Sequence, residues 1–427
     1  MTDKKKNNDP YSQAVASGKY VRGTGLQGKY DNVRVYWEDE VTRFFMRPHI
    51  ETLLERKLKQ KKGIRILDLG CGSGDGYELL MKMIQPNAGL TKNQVYLIPE
   101  NHLEQYKGIE INRDLLNQNV QRWGEHPGME FQWGDFSTGL PLEKGEPPYD
   151  IYLTSYGALS HLNENQTVKL FSDIINHAGD GAVLVGDWLS RYSYEWQQLW
   201  DNDTHREQWM DYYISYIYPP HQRDKTRLTP LKLRLLCREE ILKMLERVEK
   251  TGGIKLETKY IGDRSIFVGR HMDTHDYNPH LKPLRKAVNS LLEKNVRTDL
   301  DRLLIDYVPH PDIRLPDPFF QQFQSCWNSL IRYTMALCRE HEGGKPIPDA
   351  PSTADVHRAD APRVLLNMLD HMKQVIAGIG QFNMELEDTR ANVVESQLAY
   401  ALRELEMSLQ QGAGNGHGIV GIFIVNK

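Results

Sequence analysis

The chain has 427 residues, 26% of them charged and 40% hydrophobic, with a formal net charge of −4. That length suits two domains, each able to bury a core, and the mildly acidic balance offers no global basic field, which disfavours nucleic acid as a partner. No apolar run approaches the roughly 20 residues of a membrane-spanning helix, so no membrane partner is expected.

The four cysteines, Cys71, Cys237, Cys326 and Cys338, lack C-x-x-C spacing and indicate neither a disulfide framework nor a metal site. With a polar, Lys-rich start that carries no apolar signal region, they point to a cytoplasmic location.

In chain order, residues 1–29 are polar and Gly-rich and are expected to be a mobile N-terminal segment, including the Lys4–Lys6 run. The apolar spacing of Val33, Trp37, Val41, Phe44 and Phe45 predicts a helix over 31–59. Strand and helix signals then alternate. Strands are predicted at 64–69, 106–111, 129–133, 151–155 and 182–186, with helices at 77–84, 115–123 and 167–175. Such alternation implies parallel β-α-β units with right-handed crossovers. Residues 255–260 and 265–270 read as a closing hairpin. The expectation is a doubly wound, seven-stranded, mostly parallel sheet over 30–272. Two insertions interrupt it, at 86–104 and at 190–233, the second dense in Trp and Tyr and read as an aromatic lid. Beyond residue 284, amphipathic stripes at 284–304, 319–337, 364–376 and 393–409, with a Pro-rich loop at 343–362, predict an appended all-α C-terminal domain. The tail 419–425 has strand character.

The chemistry concentrates in the run Ile64 to Gly76. A buried strand delivers Asp68, and Gly70, Gly72 and Gly74 then make a tight turn into a helix. Glycines there permit unusual φ/ψ and let a ligand lie against the backbone. At the carboxyl end of a first strand, such a turn opens into the crevice where open α/β sheets bind ligands. A dinucleotide fingerprint wants G-x-G-x-x-G, but its third place is Asp75. A sulfonium cofactor with a free amino group suits an acidic turn better than a pyrophosphate does.

On these residues the chain resembles the class I S-adenosylmethionine-dependent methyltransferase superfamily. Asp68, Gly70, Gly72 and Gly74 match its D-x-G-x-G-x-G motif. Gly108-Ile109-Glu110-Ile111 looks like the end of its second strand, whose acid grips the ribose diol, a task suited to a carboxylate's several acceptor sites. Phe131 to Phe136 looks like the third-strand motif, whose acid, here Asp135, accepts from the adenine amino group. Tyr149 to Tyr156 resembles the fourth strand. The resemblance covers 30–270. It implies a Rossmann-like methyltransferase fold, S-adenosylmethionine as cofactor and S-adenosylhomocysteine as product. The implied cofactor contacts are Asp68, Gly70, Cys71, Gly72, Gly74, Glu110, Ile111, Asp135, Phe136, Ser155 and Tyr156. The gap from Asp68 to Glu110 is about twice the usual ~20 residues, and the insertion at 86–104 accounts for it.

Methyl transfer is an in-line displacement, so positioning and water exclusion supply most of the rate, with a base needed only for a protonated nucleophile. His161 is the best general-base candidate, since imidazole titrates near neutrality, against a reading as a helix-capping and packing residue. Tyr156 is a second candidate at the reaction centre. Candidate substrate contacts are Arg34 and Trp37 on the N-terminal helix, Trp188 after the fifth strand and Tyr192 in the aromatic insertion. Packing is the competing role for both Trp residues. His271, His275 and His280 have irregular spacing, and no metal is expected. The leading expectation is methyl transfer to an O or N atom of a small molecule. Alternatives are a protein or RNA methyltransferase and a non-catalytic cofactor-binding subunit. The C-terminal helices are candidates for a homodimer interface. The acceptor's identity and the nucleophilic element stay open.

Overall fold

The computed structural model describes residues 9–18, 20, 24–26, 29–86, 95–215, 228–269, 277–343, 361–381 and 388–427. Lys4–Lys6, Tyr216, Tyr218, His271, His275 and most of the Pro-rich loop lie outside them.

The sheet begins with β1 (Ile64–Leu69), whose residues are almost all buried, as a strand covered on both faces requires. It pairs in parallel with β2 (Leu103–Glu110) on one side and β4 (Ile151–Leu153) on the other. Beyond β2 lies β3 (Met129–Trp133), and beyond β4 lies β5 (Val183–Ser190), both parallel. Alternation along β5 sends Val183 and Val185 to one face and Leu184 and Trp188 to the other.

The far edge departs from the sequence reading. The expected hairpin at 255–270 does not form. Residues 255–264 are one continuous strand, β8 (Lys255–Arg264), and its partner is β9 (Gly418–Asn426) from the end of the chain. Strand β9 inserts antiparallel between β8 and β5, giving the order β8-β9-β5-β4-β1-β2-β3. Its sequence, GIVGIFIVN, is apolar up to the exposed Asn426 because it is buried on both faces, with Val420 and Ile422 on one and Ile419, Phe423 and Val425 on the other.

The described part of the aromatic insertion is also not a free lid. It forms a 3-10 turn (Tyr194–Leu199) and β6 (Gln208–Tyr212), which pairs antiparallel with β7 (Leu231–Leu236). β7 continues the sheet beside the end of β5. Arg191 locks the insertion in place, donating from Nε and Nη2 to the two carboxylate oxygens of Glu240 at 2.8 and 2.6 Å, in full burial.

Helices cover both faces. On one, α5 (Glu164–His177) and α6 (Arg238–Gly252) pack against Leu67, Leu69, Leu184 and Phe423; α5 starts on an Asn163/Gln166 capping box. Between the early strands run α3 (Asp75–Met81) and α4 (Arg113–Trp123). On the other face lies α2 (Asp39–Lys59), entered through a π-helical turn at Arg34–Glu38. In one apolar cluster with it lie α7 (Leu284–Leu291), α8 (Asp317–His341), α9 (Arg363–Gly378) and α10 (Ser396–Leu409). The stripe predicted over 284–304 is broken: helix stops at Leu291 and resumes only as a 3-10 turn at Leu300–Leu303.

The C-terminal helices share one apolar cluster with α2 and the sheet rather than enclosing a core of their own. Trp37 packs on Trp327, ring centroids 5.9 Å apart, and donates from Nε1 to Glu406 at 2.9 Å. Arg285 on α7 is clasped by Asp31 and Glu38. No described helix is long and apolar enough to cross a membrane.

The expected mobile N-terminal segment contains a helix, α1 (Pro10–Ala16), capped by Asp9. It docks over the carboxyl ends of the strands. Ser12 Oγ donates to Asp114 at 2.6 Å, and Asn112 Nδ2 donates to Ser12 and to Asp9.

Candidate active site

At the end of β1 the chain turns through three left-handed glycines, Gly70 (φ 76°), Gly72 (φ 56°) and Gly74 (φ 84°), the last capping α3. Amides of Gly70 and Cys71 donate to the Ile109 carbonyl at 2.9 and 3.1 Å, pinning the turn to the end of β2. A side chain on Gly70 would press on Ala158 and Phe136, and one on Gly74 would strike Asn119 and Trp123. A side chain on Gly72 would meet nothing within 4 Å. Space above this one glycine is open, and its neighbours wall that space.

Asp68 lies beneath the turn, fully buried. Tyr106 donates to its Oδ2 at 2.5 Å, while Oδ1 has no hydrogen-bond partner among the described residues. Burial pushes its carboxyl up to about 7. Glu110, at the end of β2, accepts from the Gly72 amide at 2.9 Å and the Asn112 amide at 2.8 Å. Burial raises this carboxyl above its ordinary value and the two amides pull it back. Each oxygen keeps a lone pair for a ligand hydroxyl. Ile111 is 52% exposed, its carbonyl accepting from Trp133 Nε1 at 2.8 Å. Asp135 accepts from the Ser137 amide at 2.8 Å, which tightens the turn after β3.

On the other side, Ser155 and Tyr156 follow β4. Tyr156 is held at φ 56°, a conformation that costs a bulky residue of order 1–3 kcal/mol and persists only where neighbours enforce it. Asp187 enforces it. Its Oδ2 accepts from the Tyr156 amide at 2.7 Å and from Arg264 Nη2 at 2.7 Å. The Tyr156 hydroxyl donates to Asp39 at 3.0 Å, and the Arg34 guanidinium lies 3.8 Å from its ring centroid. Burial, then Asp39, drives the Tyr156 hydroxyl above its ordinary range, so it remains protonated.

Residues 29–34 roof the glycine turn. Lys29 pairs with Asp75 at 2.9 Å and Arg34 with the same oxygen at 3.0 Å, and Tyr30 also donates to Asp75. Burial pulls the Arg34 guanidinium down, but the electrostatic field of Tyr156 and Asp39 overrides it and keeps the group charged. Beyond Tyr156, His161 Nε2 lies 3.2 Å from the Tyr11 hydroxyl of α1. Burial lowers this imidazole to about 4, leaving it neutral at physiological pH.

The predicted cofactor residues lie at or just beyond the carboxyl ends of β1 to β4, with Tyr156, His161 and Arg34 beside them. Three predicted substrate contacts do not. Trp37, in the π-helical turn before α2, is buried against Trp327 of α8 and bonded to Glu406 of α10. Trp188 is fully buried on the opposite face, folded under Gly186 and 6.2 Å from Phe171, because consecutive strand residues point to opposite sides. Its neighbour Asp187 is the one that reaches the site. Tyr192 is buried beside Trp200 and lines a separate cavity of about 490 Å³ with Cys237 and Phe319. Tyr30, like Arg34, was read in the sequence as closing over the cofactor, but sequence reasoning missed Tyr11, Lys29, Asp39 and Arg264, whose roles come from long-range packing; an acid at position 75 was the only local sign that cations would gather there. Among the described residues no group of three His, Cys, Asp or Glu is placed to hold a metal ion.

No protein-family model matches the chain, and no curated protein matches it. Among solved structures it is similar to an S-adenosylmethionine-dependent methyltransferase from Clostridium acetobutylicum ATCC 824 (14% identity, 54% of this chain and 86% of that one, TM-score 0.35). It is similar also to the glycopeptide N-methyltransferase MtfA complexed with sinefungin (14% identity, 50% and 78%, TM-score 0.31). A third is CalS10, an amino pentose methyltransferase from Micromonospora echinaspora (14% identity, 50% and 85%, TM-score 0.29).

Proposed function

We propose that the chain is an S-adenosylmethionine-dependent methyltransferase that methylates an O or N atom of a small molecule. The observation that carries this reading is the open cradle above Gly72, flanked by the Glu110 carboxylate and underlain by the half-satisfied, buried Asp68. It sits where β1 is flanked by β2 and β4, the point at which the strand order reverses and open α/β sheets bind ligands. The third place of a dinucleotide G-x-G-x-x-G turn is held here by Asp75, which disfavours a dinucleotide.

In this reading Glu110 accepts from the ribose diol, Asp135 from the adenine amino group, and Ile111 and Phe136 flank the base. Cys71 and Ser155 line the crevice, and Asp68 supports the turn and faces the amino-acid end. Arg34, Lys29 and Tyr30 close the roof and exclude water, which strengthens every electrostatic contact beneath. The cofactor supplies an activated methyl group on a sulfonium. Tyr156 walls the methyl side, and His161 receives a proton where the acceptor carries one.

The test is calorimetric titration of the full chain with S-adenosylmethionine, S-adenosylhomocysteine and NAD, beside a Glu110→Ala variant. The expected result is micromolar binding of both sulfur compounds, at least tenfold weaker in the variant, and none of NAD. Absence of binding by either sulfur compound overturns the reading.

A further inference from the structure

We infer that the acceptor is a neutral phenol methylated on its hydroxyl oxygen, and that Tyr11 of α1 holds the acceptor's place on His161 while the site waits for it; this rests on the methyl-transfer reading above. A small cavity of about 40 Å³ adjoins Tyr156 and Gly157, the residues that wall the methyl side, and reaches His161. It has room for a water but not for an arene, which needs on the order of 150 Å³. What fills the rest is Tyr11. Its para-substituted phenol ring stands 6.1 Å from the His161 ring and edge-on to Tyr20 at 6.5 Å, with its hydroxyl at His161 Nε2.

The walls select for the same chemistry. Besides the histidine, the described lining is aromatic and aliphatic, including Tyr20, Tyr212, Leu189 and Leu233, and holds no Asp, Glu, Lys or Arg. Among the described lining residues none would pair a carboxylate or ammonium acceptor, whose desolvation costs several kcal/mol. A phenol satisfies both parts of the site, ring on rings and hydroxyl on imidazole. Because burial keeps His161 neutral, its Nε2 accepts from that hydroxyl in the tautomer protonated at Nδ1.

The step balances. The phenolic oxygen forms its bond to the methyl carbon as the carbon–sulfur bond breaks, with the electron pair going to sulfur. The phenolic proton passes to His161 Nε2 and from there to water. One positive charge leaves sulfur as one arrives on imidazole, so the buried site keeps its net charge through the transfer, until the imidazolium releases its proton to water.

Tyr11 is suited to leave. Helix α1 has seven residues, of which only Ala14 is buried, and polar contacts hold it to Asn112 and Asp114. The apolar contacts it gives up, Ala14 and Tyr11 against Ile214, Tyr20 and Leu231, form a small cluster apart from the main cores, so opening costs less than unfolding the domain.

The experiment uses the full chain with Tyr11→Ala, which vacates the ring's place, and para-cresol as probe. Para-xylene, which replaces the hydroxyl by methyl, and para-toluidine, which replaces it by an amine, are the comparisons. Calorimetry in the presence of S-adenosylhomocysteine is expected to show para-cresol binding at least tenfold tighter than para-xylene. Adding His161→Phe to the variant removes that preference. With S-adenosylmethionine, mass spectrometry is expected to find 4-methylanisole and no N-methyl-para-toluidine. A Tyr11→Phe variant, which keeps the ring, is expected to bind para-cresol at least tenfold more weakly than Tyr11→Ala. Equal binding of cresol and xylene, no cresol binding, or methyl transfer to the amine overturns the inference. If S-adenosylhomocysteine still binds in those cases, the methyl-transfer reading survives; if it does not, that reading falls first.

Discussion

Replacing Arg285 by alanine is expected to destabilise the whole fold and to loosen the roof of the active site together. The guanidinium is buried on α7. It donates to both oxygens of Asp31 at 2.6 and 2.7 Å, to Glu38 at 2.9 Å and to the Gly269 carbonyl at 2.6 Å. Truncation leaves two buried carboxylates without their countercharge. Partial relief remains, since Asp31 keeps Asn289 and the Arg34 amide and Glu38 keeps the Ser265 hydroxyl. Breaking such a pair costs about 3–5 kcal/mol. The control is Arg302→Ala, whose pair with Asp299 joins side chains 74% and 59% exposed. An exposed pair of that kind is worth ~0–1 kcal/mol. Urea unfolding of the three proteins at equal slope gives the two differences. Asp31 and Glu38 also bracket Arg34, so Arg285→Ala is expected to weaken S-adenosylmethionine binding at least tenfold in calorimetry, whereas Arg302→Ala leaves it unchanged. A loss below about 1 kcal/mol in Arg285→Ala would refute the clamp, because desolvated carboxylates cannot lose their partner so cheaply.

The Asp68 carboxyl, raised to about 7 by burial from an ordinary 3.8, holds a proton in the folded state that the unfolded chain has released between those values. Its contribution to stability is therefore present at low pH and lost as pH rises through about 7. Asp68→Asn removes it, so the stability gap between wild type and variant should shift by roughly 2–4 kcal/mol between pH 5 and 8; a gap independent of pH would show that Asp68 does not titrate there. Trp188→Ala should cost about 3–5 kcal/mol in urea unfolding as a core cavity. Affinity for S-adenosylmethionine should stay within twofold, and a selective loss of binding would return Trp188 to the site. Truncation after Leu409 removes β9 from between β8 and β5, and circular dichroism and exchange of backbone amides should then show loss of the sheet as a whole; a folded, cofactor-binding product would mean that the sheet stands without its C-terminal strand.

The central strands and the glycine turn were legible because their causes are local. A run such as Ile64 to Leu69 is apolar at every position because both faces of a parallel strand are covered, and left-handed backbone at Gly70, Gly72 and Gly74 is cheap only for glycine. Asp68 was legible from its place at the end of the first strand, whereas Glu110 and Asp135 were singled out through the family resemblance. The four helical stripes after residue 284 were visible by their 3.6-residue period, although the first proved shorter than its pattern.

What the tertiary structure decided was every pairing across long sequence distance. Strand β8 and strand β9 are separated by the entire helical segment, and an apolar run carries no label for its partner, so 255–264 was matched with its nearest neighbour instead. A helix stripe states that a face is buried but not against what, and here α2 and the sheet complete the core that the C-terminal helices need. Aromatic side chains read equally as lid or core until burial settles them, which is why Trp37, Trp188 and Tyr192 were misplaced while Asp187, one residue from Trp188, proved to hold Tyr156. The roof over the glycine turn, built by Lys29, Tyr30 and Arg34 on Asp75, and the contact of Tyr11 with His161 join residues about 40 to 150 positions apart. Charges and hydroxyls at such separations meet only because the apolar core fixes where their backbones lie, and no local pattern in the sequence records that.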